Sequence, residues 1–251
     1  MSQESEIEAR DEVAPSWEQW VIESEGFWSD WIEKRVTMNY VDPREHETIL
    51  DAGCGTGRIT RLIARKCKKV YALDFSSRGI DVLNERAHEE GINNIESRVW
   101  DLTLPFSLEE PVDKVVSIGV VECIPTERGQ HRALQNMYDQ LHDGGTLVIG
   151  LCNWRAFFVR RVSKEGRYPD GVYYRRFTAD EAITALQECG FKSIFVGGYE
   201  NVLHRALGLY RFPSHRRLSG IPYLIAQTDL FLSKFNASRL FGYYLICRAS
   251  R

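Results

Sequence analysis

A glycine-rich turn between an apolar run and a helical pattern constrains this chain more than any other feature. The stretch from Thr48 to Thr60 reads Thr-Ile-Leu-Asp-Ala-Gly-Cys-Gly-Thr-Gly-Arg-Ile-Thr, with glycine at three alternate positions. Glycine is needed where a turn takes positive φ values and brings its backbone close to a ligand. The following helix adds unpaired N–H groups and a positive dipole end. The stretch therefore predicts a strand, a tight turn and a helix suited to a nucleotide-like ligand.

The spacing of the glycines separates one nucleotide ligand from another. The dinucleotide fingerprint G-x-G-x-x-G would place its third glycine at position 58, which is Arg58. The run from Asp51 to Gly57 instead resembles motif I of the class I S-adenosylmethionine-dependent methyltransferases, whose loop accommodates the amino-acid end of the cofactor. The resemblance implies S-adenosylmethionine as cofactor and S-adenosylhomocysteine as product. An ordinary βα turn is the alternative, and a nicotinamide dehydrogenase is a more distant one.

Acids follow the next two strands at positions that suit a nucleoside. Asp74, 17 residues beyond Gly57, ends a second apolar run, where it can accept hydrogen bonds from both ribose hydroxyls or merely cap a helix. The resemblance implies that Asp101 receives the adenine amino group and that Leu102 offers its backbone N–H to the ring. The residues assigned to the cofactor are Asp51, Gly53, Cys54, Gly55, Asp74, Phe75, Asp101, Leu102 and Gly119. No metal site is expected.

The order of apolar runs and helical patterns predicts an α/β fold. The runs alternate as β-α-β-α-β-β-α-β, which enforces a parallel sheet covered on both faces. Gly53, Asp74, Asp101 and Gly119 then follow four strands at the edge where such sheets bind ligands. The resemblance adds an antiparallel last strand. The prediction is a seven-stranded, mostly parallel, doubly wound sheet.

A single domain of 251 residues with two additions to its core is the expected organisation. Residues 45–198 and 242–251 form the Rossmann-like core. Residues 1–44 are expected to begin as a frayed acidic segment and continue as a helical lid, because Trp17, Trp20, Trp28 and Trp31 recur at helical intervals. Residues 199–241 form an insert before the last strand, and we expect a substrate cap there. The Trp100 side chain is expected in the core rather than stacked on adenine.

Composition limits the partners and the compartment. A net charge of −3 does not favour nucleic acid as a partner through the overall field. The six cysteines form no C-x-x-C pair, and most lie in strand or helix patterns, which suits a reducing compartment. Residues 1–12 hold five acids and lack the features of a signal peptide, and no apolar run approaches the ~20 residues that span a bilayer. We expect a cytoplasmic protein; its oligomeric state is left open.

Basic and aromatic residues interleave from Asn153 to Phe177, with seven cations against two acids. Such a stretch can bind RNA, an anionic lipid surface at the membrane periphery, or a phosphorylated substrate. It can equally be a solvated helix and a hairpin near the mouth of the site. If the stretch binds a ligand, the sequence favours an anionic or aromatic small molecule over RNA.

The sequence does not identify a general base. Cys123 stands where many small-molecule methyltransferases carry a histidine, which leaves Glu122, His131 and Tyr173 as candidates, with His46 as a further one. The favoured function is methyl transfer to an oxygen, nitrogen or carbon atom of a small molecule such as a lipid, quinone, sugar or secondary metabolite. The alternatives are an RNA or protein methyltransferase that uses residues 155–176, and a non-catalytic module that binds the cofactor.

Overall fold

A computed structural model of the chain describes residues 3–16, 18–19, 27–156, 163–168, 171–201 and 220–251. Its strands are β1 Thr48–Ala52, β2 Lys69–Asp74, β3 Ile95–Val99, β4 Val112–Ile118, β5 Leu141–Cys152, β6 Glu165–Arg167, β7 Tyr173–Arg175, β8 Lys192–Tyr199 and β9 Tyr244–Ser250. Its helices are α1 Gln3–Val13, α2 Phe27–Val41, α3 Thr60–Ala64, α4 Ser77–Glu89, α5 Glu127–Gln140, α6 Ala179–Glu188 and α7 Ile221–Leu232.

Seven of these strands form the main sheet in the order β3-β2-β1-β4-β5-β9-β8. The pairs among β1 to β5 are parallel, and β9 pairs antiparallel with both β5 and β8. The predicted sheet, with its antiparallel last strand, is confirmed. A parallel sheet brings the carboxyl ends of β1, β2, β3 and β4 to one side, which we call the carboxyl edge.

Both faces of the sheet are buried, as its continuous apolar strands require. Leu50, Leu134 and Met137 belong to the core on one face, and Ile49 and Ile63 to the core on the other. Neighbours in β1 therefore point to opposite faces, because side chains alternate along a strand. The two cores fix the position of the turn that follows β1.

The helices begin where the sequence places their caps. The Ser76 and Thr126 side chains accept the backbone N–H groups of Gly79 and Gly129 and so open α4 and α5. Thr178 and Glu181 form the expected capping box of α6. The basic stretch contains a hairpin, one of the alternatives for it, which is the two-stranded sheet of β6 and β7.

Two expectations about local structure are wrong. Residues 3–13 form helix α1 instead of a frayed segment, because tertiary contacts described below hold them. The Trp100 residue is 39% exposed instead of buried, since it follows the strand at the edge of the sheet. The aromatic positions Trp17 and Trp20, and residues 202–219 of the predicted cap, lie outside the described residues.

Candidate functional site

The glycine loop, residues 53–57, follows β1 at the carboxyl edge. Its three glycines have φ values of +85°, +51° and +81°, which side chains rarely adopt. A Cβ on Gly53 would lie 2.3 Å from Val120, and one on Gly57 would lie 2.1 Å from Leu83. A Cβ on Gly55 would meet no atom within 4 Å. Two of the glycines are therefore required by packing, whereas Gly55 faces open space.

Asp74 connects the glycine loop to the end of β2. Its carboxylate accepts the Gly55 N–H at 2.8 Å and the Ser76 N–H at 2.9 Å. Burial of this carboxylate raises the pKa of Asp74, and the two N–H bonds oppose that rise. The acid thus lies beside the open face of Gly55, and the predicted juxtaposition of loop and acid is present. Phe75, the next residue, is half-buried.

Asp101 and Leu102 follow β3 at the same edge. The Asp101 carboxylate accepts the backbone N–H and the hydroxyl of Thr103, both at 2.8 Å, which folds the chain into a tight turn. Leu102 is buried, and its carbonyl accepts a bond from the Asn136 amide. The structure therefore brings the third predicted strand end to the edge that holds Asp74.

Gly119 ends β4 with a φ of +70°, and a Cβ there would also meet nothing within 4 Å. The strand ends three residues earlier than the apolar run predicts, because the chain turns at Gly119 into a short 3₁₀ helix, Val121–Cys123. The open faces of Gly55 and Gly119 leave room for a ligand at the carboxyl edge.

Asp51 lies beneath the loop and does not face this space. It is 3% exposed, and it accepts the Thr60 hydroxyl at 2.6 Å. Burial raises the pKa of Asp51 to about 7, against the effect of that hydrogen bond. The neighbouring Cys54 is buried as well, and its thiol has a pKa well above the ordinary value for the same reason. Both residues support the loop from inside.

Arg58, which breaks the dinucleotide fingerprint, connects the glycine loop to helix α2. Its guanidinium bonds the Asp30 carboxylate at 2.7 Å and also pairs with Glu33. Burial disfavours the cation, but Glu33 and Asp30 more than offset this and raise the pKa of Arg58. Sequence reasoning missed this network, although two acids three residues apart on one helix face were a usable signal.

Helix α1 crosses the carboxyl edge, which the sequence did not indicate. The Asp11 carboxylate accepts the Ser76 hydroxyl and, at 3.2 Å, the Arg78 N–H at the start of α4. Arg10 donates to the Cys123 sulfur at 3.6 Å. The helix therefore contacts the chain after β2 and the chain after β4, on either side of the glycine loop's strand. The segment that was expected to be frayed therefore lies against the carboxyl edge.

The candidate bases are not gathered in one place. Glu122 is buried after β4, where its carboxylate accepts the Cys152 N–H and lies 3.2 Å from the Cys152 sulfur. His131 is exposed on α5, and His46 is exposed before β1 at the opposite edge of the sheet. Tyr173 lies in β7 and donates to Glu165 at 3.0 Å. Burial and that carboxylate raise the pKa of Tyr173, which disfavours the phenolate.

The observed atoms suit a nucleoside with a cationic amino-acid tail. A Cβ on Gly55 would point into open space, and the Asp74 carboxylate lies next to that space. The Thr56 hydroxyl is buried without a hydrogen-bond partner among the described residues. A separate cleft of about 550 Å³ lies away from the carboxyl edge, lined by residues that include Tyr40, Phe195 and Arg248. Among the residues that the structure describes, no group of three potential metal ligands lies together. No helix among them is long and apolar enough to cross a bilayer.

Fold and site together define the class of protein. The seven-stranded sheet with its antiparallel last strand, the glycine loop and the acid after β2 are those of the class I S-adenosylmethionine-dependent methyltransferases. Residues 49–145 match the sequence model of the family described as "Methyltransferase domain". Over these residues, 49–145, the chain is similar to that family of methyltransferases.

Similarity to individual proteins is weaker and covers parts of their chains. A protein-L-isoaspartate O-methyltransferase of Dictyoglomus thermophilum is 23% identical over 147 residues, 59% of this chain and 61% of the relative. An uncharacterized RNA methyltransferase of Bacillus cereus is 31% identical over 136 residues, 53% of this chain and 28% of the relative. The chain thus spans less than two thirds of each of these relatives.

A solved methyltransferase structure shares the fold of this chain. The N-methyltransferase NodS of Bradyrhizobium japonicum, solved in complex with S-adenosylhomocysteine, superposes with a TM-score of 0.63 and 16% identity. The superposition covers 98% of this chain and 98% of NodS. At this identity the likeness concerns the fold, and the acceptor has to be argued from the residues of this chain.

Proposed function

We propose that this chain binds S-adenosylmethionine at the carboxyl edge and transfers its methyl group to a small-molecule acceptor, leaving S-adenosylhomocysteine. One arrangement supports the proposal most: the open face of Gly55 lies next to the Asp74 carboxylate, which accepts the Gly55 N–H at 2.8 Å. A nucleoside needs an acceptor for its ribose hydroxyls and a backbone that it can approach closely, and both are side by side here.

Each predicted binding residue has a role in this proposal. The Asp74 carboxylate accepts from the ribose, Asp101 and Leu102 hold the adenine, and the glycine loop receives the amino-acid tail. Asp51 acts from beneath the loop through Thr60. The complete set is Asp51, Gly53, Cys54, Gly55, Asp74, Phe75, Asp101, Leu102 and Gly119.

S-adenosylmethionine, when bound, supplies a methyl group attached to a positively charged sulfur. The chain's contribution is to align an acceptor atom with that group, and alignment alone can supply about 7–11 kcal/mol. If the acceptor is a hydroxyl, a base is needed as well. Of the candidates, Glu122 is the one that the structure holds after β4, beside the glycine loop's strand. Its bonds to Cys152 keep the carboxylate fixed there.

The small-molecule acceptor is preferred because three cations of the basic stretch pair with carboxylates of the chain. Arg155 lies 3.8 Å from Asp180, Lys164 lies 2.5 Å from Glu181, and Arg175 lies 2.8 Å from Glu127. Cations that bind nucleic acid have to face the phosphates instead. An RNA or protein acceptor is the second candidate, since relatives named for RNA and for protein-L-isoaspartate match the chain.

A methyl-transfer screen tests the proposal. The protein is incubated with methyl-labelled S-adenosylmethionine and, separately, with a metabolite extract, total RNA and an unfolded protein mixture. We expect label in a small molecule of the extract, and none when Asp74 is replaced by Ala. The control Asp81→Ala, which removes an exposed acid on α4, should leave transfer intact. Label found only in RNA or only in protein would show that the acceptor is a macromolecule and not a small molecule. No transfer to any of the three mixtures would support a non-catalytic module that binds the cofactor.

A further inference from the structure

A cluster of polar side chains around a buried arginine lies beyond the ends of β4 and β5. We call it the arginine cluster; its members are Glu122, Cys152, Tyr168, Arg176 and Tyr243. Glu122 follows β4 and Cys152 ends β5, so the cluster is on the carboxyl side of the sheet. Tyr168 and Arg176 flank the hairpin of β6 and β7, and Tyr168 interacts electrostatically with Cys152, Glu122, Cys123 and Arg176.

Arg176 is buried, and no carboxylate among the described residues forms an ion pair with it. The residue is 5% exposed, its Nη1 donates to the Ser163 carbonyl at 3.0 Å, and the Tyr243 phenol also hydrogen-bonds it. Its Nε–H is buried with no partner, and none of the described carboxylates pairs with it. The neighbouring Arg175 differs in this respect, because it pairs with Glu127 and Glu181.

An uncompensated buried guanidinium is costly, and arginine does not lose its proton to avoid the cost. Such a group is stabilised when an anion enters beside it. Its planar fork of N–H donors matches the oxygens of a carboxylate or a phosphate. The Arg176 guanidinium lies over the Tyr174 ring, and an oxyanion beside it would supply the acceptor that its Nε–H lacks.

The neighbours of Arg176 are suited to the same ligand. The Tyr168 phenol, like that of any tyrosine at neutral pH, carries its proton and can donate a hydrogen bond. The Tyr168 residue is 39% exposed, which opens the cluster to solvent. Arg10 brings a second cation to this side through its contact with Cys123. The Glu122 carboxylate accepts the Cys152 backbone N–H. The hydrogen-bond donors that an oxyanion would meet in this cluster are therefore those of Arg176 and the two phenols.

Resting on the proposed function, we propose that Arg176 binds an oxyanion, a carboxylate or a phosphate, of the methyl acceptor, and that it thereby determines which small molecules are methylated. Tyr168 and Tyr243 complete this subsite. The substrate class is an acidic small molecule whose anionic group lies beyond the ends of β4 and β5 while its methylated atom faces the glycine loop.

Calorimetry with probe anions tests this inference. Protein saturated with S-adenosylhomocysteine is titrated with benzoate, with phenyl phosphate and with the neutral benzamide. We expect one of the two anions to bind at least tenfold more tightly than benzamide, and the better anion identifies the carboxylate or the phosphate as the preferred group. Arg176→Gln should weaken that binding by about 10- to 100-fold, the range for hydrogen bonds to charged groups.

Two variants make the result specific. Arg175→Gln, the paired neighbour, should bind the probe as the wild type does, and Arg176→Lys should fall between wild type and Arg176→Gln because it keeps the charge without the fork. The melting temperature of each variant identifies any that fails to fold; if Arg176→Gln does, Arg176→Lys decides alone. Equal binding of benzamide and the anions, no anion binding, or equal losses in Arg175→Gln and Arg176→Gln would overturn the inference.

The same titrations separate this inference from the function on which it rests. S-adenosylhomocysteine should bind with equal affinity to wild type and to Arg176→Gln. If it binds neither while the anions still bind through Arg176, the proposed function fails and the oxyanion subsite stands. If it binds both while the anions do not bind, the function stands and the subsite fails.

Discussion

Replacing Gly55 with alanine separates the ligand-binding role of the glycine loop from its role in folding. Gly55 has a φ of +51°, and a Cβ there would meet no atom within 4 Å. Gly91, after helix α4, is a matched control, because it has a φ of +67° and the same empty surroundings. The two substitutions therefore impose a similar backbone strain on the chain, at places that differ only in their proximity to the proposed ligand.

The structure sets the size of each effect. An alanine in the left-handed region costs about 1–2 kcal/mol. For a chain of this length each 1 kcal/mol lowers the melting temperature by about 2–4 °C, so both variants should melt about 2–8 °C below the wild type. The new methyl group at residue 55 also occupies the open space beside the Asp74 carboxylate. Because it prevents close approach of the ligand to the loop, we expect a loss of affinity of tenfold or more, about 1.4 kcal/mol.

The assay is calorimetric titration of S-adenosylhomocysteine into the wild type, Gly55→Ala and Gly91→Ala, with a melting curve for each. Equal melting temperatures for the two variants, with weakened binding in Gly55→Ala alone, would support the account. Unchanged affinity in Gly55→Ala, or equal losses of affinity in both variants, would refute the reasoning that the open face of Gly55 is where the cofactor lies.

Two further predictions concern the residues that support the loop. Asp51 has a pKa raised to about 7 by burial, so ionisation favours the unfolded state and stability falls as pH rises from about 4 to 7. Asp51→Asn has no carboxyl to ionise, so its free energy of unfolding should rise relative to that of the wild type by up to about 4 kcal/mol between pH 4 and 8, measured by urea unfolding. A difference between the two free energies that does not change with pH would contradict this. Arg58→Met removes the cation that Asp30 and Glu33 share; Asp30 keeps Lys34, and the half-buried Glu33 loses its ion pair, so the free energy of unfolding should fall by about 1–3 kcal/mol. Adding Glu33→Gln should recover part of that loss in urea unfolding, and a single variant within about 0.5 kcal/mol of wild type would contradict the reasoning.

Local sequence was sufficient to predict the parallel strands of the sheet, whereas the antiparallel last strand was implied by the resemblance to the methyltransferases. Apolar runs that stop at Gly53 and Asp74 correspond to β1 and β2, and the serine and threonine caps correspond to the first turns of α4 and α5. What failed depends on contacts between distant residues. The exposure of Trp100 follows from the edge position of β3, which no local pattern encodes.

Helix α1 illustrates the same limit. Its sequence is acidic and lacks a pronounced apolar stripe, so periodicity gave no reason to expect an ordered helix. Asp11 bonds the Ser76 hydroxyl and the Arg78 N–H, and these partners lie more than 60 positions away in the chain. Helix stability in proteins comes largely from such tertiary contacts.

The residues proposed for the cofactor follow from where strands end, whereas the base and the acceptor have no such signal. Strand ends fix the backbone positions of Gly55, Asp74 and Asp101, and in a parallel sheet they necessarily meet. Side chains such as Tyr173 and Arg176 lie on or beside the hairpin of β6 and β7, and their partners depend on how that hairpin packs. The contrast between the paired Arg175 and the unneutralised Arg176 becomes visible only in three dimensions.

A crystal structure of the protein with S-adenosylhomocysteine tests the central claim most directly. The account expects the ribose hydroxyls within hydrogen-bonding distance of the Asp74 carboxylate and the adenine beside Asp101 and Leu102. A ligand found instead in the separate cleft near Tyr40 and Arg248, with the carboxyl edge empty, would contradict it.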